Sequence, residues 1–309
     1  MKKELRRTRV FFTVILSVLL LTGSLSGCAF GVPVSGGSAG TKQGNEGDAG
    51  EAAESPEDVN EAALHEVVVF AAASLTETLT EAADKYMEKN PDVSIVCNFD
   101  SSGTLKTQIA EGADCDLFIS AATKQMDELD ITASPEVNTE GLDIADSSTR
   151  IDLLKNRVVL AVPEGNPAGI NSFEQLRELL ESGDILLAVG NADVPVGQYT
   201  GRIFEYLGIT ESEVADRLTY GSNVKEVMAF IQEGSADCGI IYATDAFSAG
   251  LTAVDEATEE MCGGMVIYPA AVLKSAGEPE EAGKFLDYLK TGECAEIFSS
   301  VGFSPLYGQ

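Results

Sequence analysis

The sequence predicts an α/β protein of two lobes, with mainly parallel sheets flanked by helices and a ligand cleft between the lobes. Three observations carry this expectation. Between residues 66 and 309, short apolar runs alternate with stretches of helical period. That alternation breaks in the polar stretch 131–150 and again after Tyr242, so 148–242 reads as a lobe inserted between 66–147 and 243–309. Two chain crossings between lobes make a hinge, and a hinge makes a cleft. Finally, four turns carry small residues or hydroxyls into helix starts, where free N–H groups favour an anion.

The amino terminus precedes the fold. Lys2, Lys3, Arg6, Arg7 and Arg9 form a basic segment before the apolar run 10–21, which is short for a membrane span. The run closes in Leu25-Ser26-Gly27-Cys28, similar to a bacterial lipobox, so 1–27 is expected to be a signal peptide and Cys28 the lipidated residue. Residues 28–65 then read as the anchor and a flexible acidic tether. Positions 29–64 contain 7 Gly, 7 Ala and 7 acidic residues against a single Lys42, too little apolar surface to offset ordering entropy.

Within the fold, strands are expected at 67–70, 93–99, 117–120, 158–162, 185–189, 239–242 and 266–273. Helices are expected at 75–89, 104–111, 123–129, 172–181, 198–207, 223–232, 279–290 and 293–300. The helix after Ser74 repeats apolar Leu75, Leu79, Ala82, Ala83, Tyr86 and Met87 at helical spacing. In such sheets, ligands bind beyond the carboxyl ends of the strands.

Composition excludes several functions. Formal charge is −30, and loss of 1–27 removes five basic residues and Glu4, which argues against nucleic acid as a partner. The single histidine, His65, lies at the tether's edge, so no Ser-His-Asp or Cys-His constellation is available within the fold. No glycine-rich lysine loop is present either. The chain is therefore expected not to be an enzyme and to need no cofactor. Apart from Cys28, the cysteines at 97, 115, 238, 262 and 294 form no C-x-x-C pair, and buried free thiols are expected at 97, 115 and 238.

The four turns carry the candidate site. Ala71-Ala72-Ala73-Ser74 ends the first strand, although Ser74-Leu75-Thr76-Glu77 also matches a capping box. Asp100-Ser101-Ser102-Gly103 follows the second strand. Val194-Pro195-Val196-Gly197 opens one helix, and Ser222-Asn223-Val224-Lys225 opens another with Asn223 as a good cap. Ser74, Ser102, Val196 and Val224 offer donors and no cation. That composition suits a fully ionised oxyanion, which only accepts hydrogen bonds. A protonated phosphate would want a carboxylate in the ring.

The chain resembles the periplasmic molybdate-binding proteins of ABC importers over nearly all of 66–307. The resemblance is carried by Val69-Phe70-Ala71-Ala72-Ala73-Ser74-Leu75, Ser101-Ser102-Gly103-Thr104-Leu105, Asp116-Leu117-Phe118-Ile119-Ser120-Ala121, Val194-Pro195-Val196-Gly197-Gln198-Tyr199, Asn223-Val224-Lys225 and Ile240-Ile241-Tyr242-Ala243-Thr244-Asp245-Ala246. It implies a two-lobed periplasmic-binding-protein fold of type II that closes on molybdate or tungstate. By motif, the ligand shell is Ser74, Ser102 and Tyr242, with Val196 and Val224 contributing backbone N–H groups. The metal would be held only as its oxyanion, through these same residues. Gly103 departs from the family, where a third Ser is common, and Val196 stands where Ala is frequent. The resemblance further implies an extracytoplasmic, lipid-anchored monomer whose partner is an ABC permease. Sulfate or another oxyanion, or a sensor lipoprotein without transport, remain the alternatives.

Overall fold

The computed structural model describes residues 64–307. The expected signal peptide 1–27, the lipidation site Cys28 and the tether up to residue 63 lie outside the described residues. His65, placed in the tether by the sequence reading, is instead the first residue of β1 (His65–Ala72), where it pairs with Val93.

The first sheet begins as a run of β-α-β units. A 3-10 turn at Ala73–Leu75 links β1 to α1 (Thr76–Lys89), which buries Leu79, Ala82, Ala83 and Tyr86 on the face read from sequence. β2 (Val93–Asp100) runs parallel to β1 with Ala72 opposite Asp100, so the two strands end level. α2 (Ser102–Ala110), β3 (Leu117–Ile119) and α3 (Thr123–Asp127) follow. β4 (Ile151–Asn156) then joins the same sheet, beside two strands from the far end of the chain, β10 (Val266–Val272) and β11 (Ser304–Pro305). The order is β11-β4-β10-β3-β1-β2.

The second sheet collects β5 (Val158–Val162), β6 (Leu187–Gly190), β7 (Leu218–Gly221), β8 (Cys238–Tyr242) and β9 (Thr252–Glu256) in the order β7-β6-β8-β5-β9. Its helices are α4 (Leu176–Ser182), α5 (Pro195–Leu207), the short α6 (Glu211–Val214), α7 (Val224–Gln232) and α8 (Ala243–Ala249). α9 (Glu259–Cys262) packs on α5 before the chain returns to the first sheet. α10 (Pro279–Leu289) and α11 (Gly292–Ser300) close the first lobe against β10 and α1.

Two expectations need correction. The sheets are mixed rather than mainly parallel: β1–β3 and β6–β8 form the parallel halves, while β4, β5, β9, β10 and β11 pair antiparallel. Strands next to a crossing enter their sheet from the other lobe, without a helical crossover to turn them parallel. The lobe boundaries move as well. β4 belongs to the first sheet although 148–242 had been assigned to the second lobe. α8 packs on β8, and β9 lies in the second sheet, although 243–309 had been assigned to the first. The chain therefore crosses at 156–158 and again between 256 and 266.

Of the expected thiols, Cys115 and Cys238 are buried and free, and Cys97 is free but only partly buried. Burial pushes the Cys115 thiol up to about 12. It is held as an uncharged, inert group.

Candidate functional site

The carboxyl ends of β1 and β2 and the amino ends of α5 and α7 meet around one small, tightly closed-in cavity of about 10 Å³. Ser74, Ser102, Val196, Val224 and Tyr242 all line it, so five positions spread over 169 residues of sequence are brought together. Ala72, Ala73, Asp100, Ser101, Ala121, Val194 and Pro195 complete the wall.

Each hydroxyl has a defined setting. Ser74 sits within the 3-10 turn, two residues ahead of α1, and the capping box expected there does not form. Its Oγ lies 2.9 Å from the Tyr268 hydroxyl instead, and Glu77 turns away to Lys225. In the second turn the cap is Ser101, whose Oγ accepts from the Thr104 N–H at 3.1 Å. Ser102, one residue on, accepts from the Ala121 N–H at 2.9 Å and keeps its own proton to donate.

The opposite wall is backbone. Pro195 occupies the first position of α5, where its missing N–H costs nothing, and Val196 follows. Gly197 is required here, because a Cβ on it would lie 2.0 Å from the Asn191 carbonyl oxygen. Val224 opens α7 behind Asn223, whose Oδ1 accepts from the Glu226 N–H at 3.1 Å. First-turn N–H groups have no acceptor inside their own helix, so both helices present donors to the cavity. The Val196 and Val224 side chains themselves are buried in packing.

Tyr242 ends β8 and is 1% exposed, edge-on to both Tyr199 and Tyr268. Among the described residues its hydroxyl has no hydrogen-bond partner. Burial, with the adjacent Tyr268 hydroxyl, holds this phenol well above its ordinary value, so it stays a neutral donor. A buried hydroxyl with no partner is costly, and a bound acceptor would remove that cost.

The ammonium beside the cavity is already paired. Lys225 reaches Glu77 at 2.9 and 2.8 Å and Asp245 at 3.3 Å. Burial opposes its charge, but the two carboxylates outweigh it and keep the ammonium protonated. Burial likewise pushes the Asp245 carboxyl up to about 6, with Lys225 pulling the other way. Asp100 is the acceptor that sequence reasoning missed in this wall. Its Oδ1 takes the Ser101 N–H at 2.7 Å and the Asn223 Nδ2 at 3.2 Å. Its place at the end of β2, just ahead of two serines, was the available signal.

Three contacts bring the lobes together across the cavity. Lys225 with Glu77 and Asn223 with Asp100 are two. At the third, Gly103 on α2 meets the Asp193 carbonyl so closely that a Cβ would lie 2.1 Å from its oxygen. This close approach accounts for glycine at position 103. A wider groove elsewhere, near Phe247 and Gly302, offers no comparable convergence of donors; its Arg157 is paired with Glu256 at 2.8 Å.

A two-lobed α/β fold with an interlobe cavity of this kind defines the solute-binding class. The chain belongs to the family described as bacterial extracellular solute-binding protein, which matches residues 67–304. It is 34% identical over 242 residues to the molybdate-binding protein ModA of Escherichia coli, covering 77% of this chain and 88% of that one. YvgL of Bacillus subtilis, named as an ABC transporter substrate-binding lipoprotein, is 31% identical over 240 residues, covering 77% and 86%. Among solved structures, the periplasmic molybdate-binding protein of Azotobacter vinelandii superposes with a TM-score of 0.65 at 20% identity, covering 79% of this chain and all of that one. The fold is shared with it.

Proposed function

We propose that this protein captures molybdate or tungstate outside the cytoplasm and delivers it to the permease of an ABC importer, held at the membrane as a monomer by lipid on Cys28. The observation that carries the reading is the buried, unpartnered Tyr242 hydroxyl, facing a cavity whose other donors are two serine hydroxyls and two helix starts. The ligand shell is then Ser74, Ser102 and Tyr242 through hydroxyls, with Val196 and Val224 through backbone N–H. The protein binds its ligand and does not transform it.

The site suits an anion that needs no cation beside it. Dipoles at helix starts and fixed hydroxyls supply the field, and the Lys225 ammonium, next to Val224 in sequence, is already shared between two carboxylates. A second reading, a protonated oxyanion such as hydrogen phosphate, is favoured by one feature only, the Asp100 carboxylate in the wall. Its Oδ1 already accepts two N–H groups.

Calorimetry of the full chain with molybdate, tungstate, sulfate and phosphate tests the reading. Molybdate and tungstate are expected to bind much more tightly than sulfate. Sulfate binding as tightly as molybdate would show that the ligand is wrongly assigned. The anchor is tested separately by membrane partitioning of wild type and Cys28→Ala, since dual acylation holds firmly at about 0.8 kcal/mol per buried CH₂. Equal retention of both would remove the lipid from the reading.

A further inference from the structure

Asn156 is the last residue of β4, at the point where the chain leaves the first lobe, and its side chain is buried. The Arg157 N–H donates to its Oδ1 at 2.8 Å. That bond fixes the amide: the oxygen must face Arg157, so the NH₂ group faces the other way. Nδ2 reaches Thr244 Oγ1 at 3.0 Å and the Tyr268 hydroxyl at 3.2 Å. Tyr268, on β10, is fully buried, and burial holds its phenol well above the ordinary value, so it remains protonated.

A hydroxyl oxygen that receives an amide N–H must send its own proton elsewhere. The acceptor in reach is Ser74 Oγ, at 2.9 Å. Ser74 then accepts from Tyr268 and has its own proton left for the cavity. The chain of bonds runs one way, from Asn156 Nδ2–H to Tyr268 O–H to Ser74 O–H. On the other strand end the Ala121 N–H imposes the same polarity on Ser102.

We propose that Asn156 and Tyr268 are positioning residues for anion selectivity: they set the direction of this buried chain, so that Ser74 meets the ligand only as a donor. The proposal rests on the reading that Ser74 contacts an oxyanion. Its consequence is discrimination by protonation state. A fully ionised tetrahedral anion accepts every bond offered. Hydrogen phosphate carries a proton that needs an acceptor, and a serine free to reverse could provide one. Neither Asn156 nor Tyr268 lines the cavity, and both lie far from Ser74 in sequence.

The test compares wild type, Asn156→Asp and Tyr268→Phe as full chains, by calorimetry with molybdate and with phosphate at pH 7.5, and by thermal unfolding of the same samples. Asn156→Asp replaces a donor with an acceptor. The Tyr268 proton turns toward the new carboxylate, and Ser74 turns its proton toward Tyr268. Molybdate binding is expected to weaken tenfold or more, and the molybdate-to-phosphate preference to fall by at least tenfold. The added charge repels the molybdate dianion at least as strongly as phosphate, so Tyr268→Phe, which adds none, is the control for that repulsion. Tyr268→Phe removes only a hydroxyl and frees Ser74 to point either way, so it should lower the same ratio by a smaller factor. Variants that weaken both anions equally, or that keep the wild-type ratio, overturn the relay and leave the oxyanion site standing. Wild type that fails to bind molybdate, or that prefers phosphate, overturns the site and the relay together.

Discussion

On the first lobe the cavity wall carries side-chain hydroxyls, Ser74 and Ser102, whereas on the second it carries, beside the Tyr242 hydroxyl at the end of β8, backbone N–H groups at the starts of α5 and α7. The hydroxyl wall is written residue by residue, and each donor disappears with a single substitution. The backbone wall survives almost any change of side chain and depends instead on how Pro195, Gly197 and Asn223 shape the helix starts. The two walls also differ in what steadies them. Ser74 and Ser102 lean on donors from distant elements, Tyr268 and Ala121. The helix starts are built from their own neighbours.

The largest effect is expected where the walls meet. Gly103→Ala puts a methyl group 2.1 Å from the Asp193 carbonyl oxygen and holds the lobes apart, so a ligand on the hydroxyl wall loses the backbone wall. With two bonds to a charged ligand lost, at about 1.5–3 kcal/mol each, molybdate affinity should fall more than a hundredfold. Scattering should show wild type, but not the variant, compacting with molybdate. Compaction of both would mean that the contact yields easily.

Next come Ser74→Ala and Ser102→Ala. Each deletes one hydroxyl donor, and by the same magnitudes molybdate should bind about ten- to hundredfold more weakly, while the fold is kept and the thermal midpoint in the absence of ligand drops modestly because the Tyr268 hydroxyl or the Ala121 N–H loses its partner. Wild-type affinity in Ser102→Ala would take the hydroxyl wall out of the ligand shell.

A smaller effect is expected from Glu77→Gln. It cuts an ion pair between the lobes in which Glu77 is half exposed, and exposed pairs contribute about 0.2–1 kcal/mol. Affinity should drop by no more than about fivefold, through a faster off-rate seen in stopped-flow release, and the difference should shrink with added salt. An unchanged off-rate at low salt would show that the pair does not hold the closed arrangement.

The smallest changes are expected at Val196→Ala and Val224→Ala, because alanine keeps the N–H. Calorimetry should find molybdate affinity within a few-fold of wild type. A loss as large as that in the serine variants would break the contrast between the two walls and place the side chains themselves in the ligand shell.

Much of the fold is legible because its central strands are buried on both faces. β1, β5, β6 and β8 read as continuous apolar runs, and the helices between them show a regular apolar face. β7, β9 and β11 were missed. They are short edge or half-exposed strands without such a run, which is how edges avoid pairing with other chains. In β4 charged Asp152 and Lys155 flank only two consecutive buried apolar residues, Leu153 and Leu154, and its sheet became visible only through its pairing with β10. The shift of the lobe boundaries follows from β4 and β9 alone.

The sequence by itself determined the local devices: small-residue strand ends, the hydroxyls behind them, Asn223 as a cap, and proline and glycine at the start of α5. Each acts over a few residues, so each leaves a trace in consecutive positions. Tertiary structure decided what those devices face. It overrode the S-x-x-E pattern at Ser74, because Tyr268, 194 residues away, offers that hydroxyl a buried partner. It set Asp100 against Asn223, joined Lys225 to Glu77, and brought Gly103 up to the Asp193 carbonyl. Contacts such as these depend on how two lobes close on one another. Their residues carry no shared local pattern, since the chain between them is free to vary so long as both sheets still form.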